Sequence, residues 1–297
     1  MPHANHAGIQ SWEVALTLAI IVMALIYVQG WVRIRRVEPD TVGGWRVTSF
    51  LLGLFFIWLA VASPITLLDH ELLTVHMVKH LLLMTIASPL VWLGAPMKPL
   101  ANGLPRRLVK ALIGPLFCSA PMKQLGRALA NPTVCWLAAA GTLIGWHIPS
   151  LFILGMRSEV WHGIEQTSFL LAGLLFWWPV VQPRQTVPNG SEWSVLLYLF
   201  LATLPCDILS GFLVFCDRVV YPVYCLSPRP FGFSALEDQQ CAGALMWTCV
   251  TIVYLVAGAI VAARLLSPQS LRQHRVGPSS LLVRSASQAT AQSMEVV

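Results

Sequence analysis

The chain reads as long apolar runs separated by short polar or basic connections. About 20 mostly apolar residues at a 1.5 Å rise cross a hydrocarbon layer of about 30 Å. Seven stretches meet that requirement: Trp12 to Gly30, Thr48 to Ala62, Val75 to Leu93, Val134 to Ser150, Gly163 to Val181, Ser194 to Phe215 and Ala242 to Ala263. The second and fourth are short, so their ends are expected to extend. The pattern predicts an all-α integral membrane protein, a bundle of seven transmembrane helices within residues 1–266. No Lys or Arg precedes the first run, which is too long for a cleavable signal core, so it is expected to remain a span.

Two segments fall outside the runs. The connection 94–131 is expected to lie at the cytoplasmic interface, because Arg106, Arg107 and Lys110 alternate with Leu108, Val109, Leu112 and Ile113. Pro99, Pro105, Pro115 and Pro121 divide it into short pieces. Residues 267–297 are rich in Ser, Gln, Ala and Arg with little to bury, and are expected to form a disordered cytoplasmic tail.

Charge orients the bundle. Fifteen of the Lys and Arg residues fall on one side, in the first, third and fifth connections and the tail. Arg157, Arg218 and Arg229 fall on the other, and Lys79 lies inside a span, where it is expected to snorkel to the outer headgroups. Positive loops stay in the cytoplasm, so the N-terminus is expected outside and the C-terminus inside. Glu13, Asp69, Glu71, Glu159, Glu165, Asp217, Glu237 and Asp238 lie on or near the external side, giving a face that attracts cations.

Composition agrees with a membrane protein and removes other classes. Hydrophobic residues make up 56% and charged residues 11%, against about 25% charge in soluble domains. A net charge of +6 does not indicate a nucleic-acid partner, because the bases are scattered between apolar runs. Seven Cys without a CxxC pair match neither a disulfide framework nor a zinc site. Cys216, Cys225 and Cys241 share one external region, where a single disulfide is an open option.

Depth along the spans brings out the candidate chemistry. His76, His80 and Met84 recur at i, i+4 and i+8 on one stripe of the third span, with His76 at the outer rim and His80 about 6 Å deeper. His147 lies about 21 Å above the inner edge of the fourth span. His162 stands at the top of the fifth span with Glu165 and Gln166 below it, and Asp207 reaches a similar level on the sixth, beyond a kink expected at Pro205. Ionisable groups within a membrane are costly and mark function. Bland roles compete: His70 as a rim residue, Met84 as packing, Glu165 as a cap or ion-pair partner.

Imidazoles beside a thioether suit copper, and scarce carboxylates disfavour magnesium or calcium. Glu165 or Asp207 could orient a ligating histidine. Two histidines on facing helices could instead hold a b-type haem. Spacing leaves copper and haem both open. A di-iron carboxylate centre needs Glu-x-x-His pairs that the chain lacks.

These residues carry a resemblance. The stretch His76-Met77-Val78-Lys79-His80-Leu81-Leu82-Leu83-Met84 with Pro89 and Gly94-Ala95-Pro96 is similar to the multispanning CtaG-type cytochrome c oxidase assembly proteins of bacterial membranes. So are Trp146-His147-Ile148-Pro149, His162 to Glu165, Phe176-Trp177-Trp178-Pro179, and Asp238-Gln239-Gln240 with Gly243, Met246 and Trp247. The likeness runs from Trp45 to Arg264. It implies a seven-helix protein of the bacterial inner membrane that helps to assemble haem–copper oxidase, with the oxidase subunits as partners and copper, as Cu(I), as the metal delivered. It implies metal-binding roles for His76, His80, His147 and His162, and the sequence itself offers Met84, Glu165, Asp207 and Asp238 as additional or supporting candidates. Gln166 departs from the pattern, standing where a second histidine is often expected. The expected function is therefore non-enzymatic assembly at the external face. A haem- or quinone-binding redox protein and a copper transporter are the competing classes.

Overall fold

The computed structural model describes residues 3–38, 43–105, 131–182, 193–227 and 232–267, together with five isolated positions between 106 and 130. Most of the expected interfacial connection and of the expected tail lies outside these residues. Among the described residues every regular element is helical. Helix α1 spans His3–Val37, α2 Gly44–Val61, α3 Leu73–Leu93 and α4 Met97–Gly103. Helices α5 and α6 span Pro132–His147 and Pro149–Arg157, followed by α7 over Glu159–Val181, α8 over Trp193–Phe215 and α9 over Ala235–Leu265. Six helices are long and apolar enough to cross a membrane, and a bent pair makes a seventh if taken as one span.

The expected fourth span, Val134 to Ser150, falls mainly on the first helix of that pair. The apolar run turns by 77° between α5 and α6. Pro149 is the cause: the residue before a proline is driven out of the helical region, and Ile148 is extended at φ −66°, ψ 124°. The His147 carbonyl at the break accepts a hydrogen bond from Tyr221 Oη at 3.0 Å, so the turn leaves no orphan there.

Helix α3 is also irregular. Residues Leu82–Ala87 wind as a π-helix between two α-helical stretches. Pro89 follows, and a proline has no N–H to offer the carbonyl four residues back. Ser88 Oγ donates to the Leu83 carbonyl at 2.7 Å, and Trp177 Nε1 to the Met84 carbonyl at 3.0 Å. The wider turn is thus tied down from both sides. Helix α7 approaches this segment closely at Gly173, where a Cβ would lie 2.5 Å from Ser88 Oγ and 2.7 Å from Met84 Cα.

The main core lies among α3, α5, α6, α7, α8 and α9, with Met77, Phe152, Phe176, Trp177, Leu213 and Met246 buried in it. A smaller cluster of Tyr27, Phe50 and Leu54 joins α1 to α2. Much of the outer surface of the long helices is apolar, as lipid contact requires: Leu25, Phe55, Leu171, Ile208, Phe212 and Leu255 are all exposed. Cys216, Cys225 and Cys241 are free thiols, so the optional external disulfide is not formed.

Candidate metal centre

Three short stretches meet at one end of the bundle. Helix α3 brings His76, Lys79 and His80; α7 brings His162, Glu165 and Gln166; the loop joining α2 to α3 brings Asp69. Asp69, His76, Lys79, His80, Glu165 and Gln166 are all buried. Phe152 stands edge-on to His76, ring centroids 5.0 Å apart, and Phe169 covers His80 at 3.9 Å. The apolar walls strengthen every charge interaction inside.

Asp69 organises the outer half. Its Oδ1 lies 2.8 Å from His76 Nδ1, and its Oδ2 lies 2.5 Å from Lys79 Nζ and 2.9 Å from His162 Nε2. Tyr224 Oη donates to its backbone carbonyl at 3.1 Å. Burial alone would raise the carboxyl's pKa, but His76, His162 and Lys79 overcome this and hold it well below the usual carboxylate range. Lys79 therefore does not snorkel to headgroups, as the sequence suggested. It turns inward and neutralises Asp69.

The inner half is different. His76 Nε2, both nitrogens of His80, His162 Nδ1 and both oxygens of Glu165 are buried with no hydrogen-bond partner. Glu165 Oε1 stands 3.4 Å from His76 Nε2 and 3.7 Å from His80 Nε2, and Oε2 stands 3.5 Å from His162 Nδ1. One ligand atom each from His76, His80 and Glu165 falls within a 4.8 Å group. Asp69, His76 and His162 form a second such group, but Lys79 already supplies a cation there. The His76–His80–Glu165 set is the better candidate. His76 adds a recognised feature of ligating imidazoles: Nδ1 faces a carboxylate, which fixes the ring and directs Nε2 at the centre. Two imidazoles and one carboxylate fit a first-row transition ion and not a hard oxygen-seeking cation.

Gly155 makes room for this arrangement. A Cβ there would sit 2.9 Å from Glu165 Oε2, so even alanine pushes on the carboxylate.

The remaining candidates fall in three places. His147 lies deeper, facing Met77 Sδ at 3.3 Å, and lines a cavity with His80 and Met84. Asp238 serves α3 from outside the centre: its carboxylate accepts from Leu73 N at 2.6 Å, Thr74 N at 3.1 Å and Thr74 Oγ1 at 2.6 Å. Asp207 has a buried, unpartnered Oδ1 on α8, and among the described residues no ion pair joins it to the histidines. Gln166 places its amide 2.5 Å from His162 Nε2. Sequence reasoning passed over Asp69 and Met77 as site residues. A lysine three residues from a histidine in an apolar run was the available signal, since such a charge needs a partner.

The model of the cytochrome c oxidase caa3 assembly factor family matches residues 25–267. The chain belongs to that family. It is also 22% identical over 268 residues to an uncharacterised protein, ML1998, of Mycobacterium leprae, covering 86% of this chain and 38% of that one. The chain thus spans well under half of that relative's length. No solved structure matches. The stretch matched by the caa3 assembly factor family includes Asp69, His76, Lys79, His80, His147, His162 and Glu165, and the resemblance seen in the sequence holds.

Proposed function

We propose that this caa3 assembly factor handles copper, as cargo for a haem–copper oxidase, at the external side of a bacterial inner membrane. The observation that supports it is the convergence of unpartnered buried donors from His76, His80 and Glu165 at one end of the bundle. Counting α5 and α6 as one span would make seven, and with the fifteen basic residues in the cytoplasm that end would face outside. The acidic outer face would gather cations toward it. His162, beside Asp69 and Glu165, would stand at the entrance.

At His76 and His80 size favours an ion over a macrocycle, and the separate apolar groove of about 790 Å³ that reaches His147 is outside this centre. The His76 and His80 rings are 4.4 Å apart, and the cavity beneath them is about 40 Å³, whereas sites for organic cofactors occupy at least about 300 Å³. Transport through the bundle is disfavoured, because α3 from Leu81 to Leu93 and α7 from Ser168 to Val181 carry no charged side chain. The role is assembly without turnover, and the oxidase subunits are the partners.

The test is the metal content of the oxidase. A strain carrying His80→Ala should make oxidase polypeptides deficient in copper and inactive, with partial rescue by added copper. Oxidase fully loaded with copper and haem, yet inactive or absent, would refute delivery and leave a scaffold role in subunit folding.

A further inference from the structure

His147 Nδ1 lies 2.6 Å from the Leu143 carbonyl oxygen. A carbonyl has no proton to give, so Nδ1 carries the hydrogen and donates it. Among the described residues no carboxylate forms an ion pair with His147, and a buried unpaired imidazolium is costly. The ring is therefore the neutral Nδ1–H tautomer, with a lone pair on Nε2. That lone pair faces Met77 Sδ at 3.3 Å. A thioether offers lone pairs and no hydrogen, so two electron donors face each other with no proton between them. An ion at about 2.0 Å from nitrogen and about 2.3 Å from sulfur would span that gap with an angle of about 100° at the metal.

The pair opens on a cavity of about 40 Å³ whose wall also carries His80, Met84, Cys206 and Met246. One water-sized occupant needs about 10–15 Å³, so a single ion fits. Thioether and thiol donors beside imidazole select soft ions, Cu(I) above all. His80 belongs to both places: it lines this cavity, and its Nε2 lies 3.7 Å from Glu165 Oε1.

We propose that the cavity is a second metal station, in which His147 Nε2 and Met77 Sδ hold Cu(I) and His80 exchanges the ion with the outer His76–Glu165 site. This rests on the copper reading above. The ion changes ligands and keeps its oxidation state, so no electron donor is needed.

The experiment uses the full chain in detergent, with Cu(I) in competition against a coloured chelator, Ag(I) as a redox-inert soft probe, Zn(II) as a probe of the outer site, and X-ray absorption of the copper-loaded protein. Met77→Leu keeps the side-chain volume. It should weaken Cu(I) and Ag(I) binding at least ten-fold and remove the sulfur shell near about 2.3 Å. Zn(II) binding should persist, which also shows that the bundle is folded. His76→Ala should show the reverse pattern. His147→Asn, which removes the ring donor by another route, should weaken Ag(I) at least ten-fold. Unchanged Ag(I) affinity in either Met77→Leu or His147→Asn overturns the second station. Loss of all copper in His76→Ala, with none lost in Met77→Leu, overturns it while the copper reading stands. No Cu(I) bound by the unaltered protein overturns both.

Discussion

Asp69 and Lys79 form the tightest charge pair of the site, and each is buried. Removing one member of such a pair strands the other's charge, at about 3–5 kcal/mol. Asp69→Asn should therefore lower thermal stability in detergent sharply, measured by loss of helical signal, and more than Lys79→Met, which leaves Asp69 with His76 and His162 as partners. The depressed pKa of Asp69 also sets a pH dependence. Its stabilising contribution is complete above the ordinary aspartate value near 3.8 and is lost as pH falls below that toward the depressed value. Melting curves at pH 5 to 8 (a range above about 4, the unperturbed aspartate value) should show no loss from this pair. Gly155→Ala is a gentler probe: the new methyl meets Glu165 Oε2 at 2.9 Å, so Zn(II) affinity should fall while the melting temperature hardly moves. His76, His80 and Glu165 were legible in the sequence because helical spacing fixes which residues share a face. Asp69 was not, because a loop residue's direction is set by tertiary packing, here by Lys79, His162 and Tyr224. The inward turn of Lys79 is hidden in the sequence for the same reason: its partner comes from a segment with no period to read.

At the scale of elements, prolines decide the geometry. Pro149 ends α5 and turns the chain into α6, which carries Phe152 to the edge of His76. Pro89 accompanies the widened turn below His80. The apolar runs revealed the helices, but a run of apolar residues says nothing of where its axis bends. Helix α3 has Leu72 at its N-cap, which offers no side-chain cap; Asp238 of α9 supplies one by accepting from Leu73 and Thr74. Loss of a cap costs about 0.5–2 kcal/mol. Asp238→Ala should destabilise by about that much and loosen the first turn that aims His76, weakening metal binding without abolishing it. A variant with full stability and full affinity would show that α3 needs no such anchor.

At the scale of the whole molecule, the basic residues predict topology. Reporter fusions after Phe215 should appear external and fusions after Ser267 cytoplasmic; the opposite pattern would put the histidines at the cytoplasmic face. The class of fold was legible because hydrocarbon thickness dictates run length. The separation of the carboxylate-bearing cluster from the thioether beside His147 was not, since it depends on which ring nitrogen meets which neighbour. The Asp238 contact also joins residues 165 positions apart. During synthesis α3 enters the membrane long before α9 exists, so its histidine turn starts life unanchored. Affinity for metal should accordingly arrive late, with α9. A nascent or truncated chain would then present few fixed donors, and stray ions in the envelope would find nothing to seize before the protein is complete.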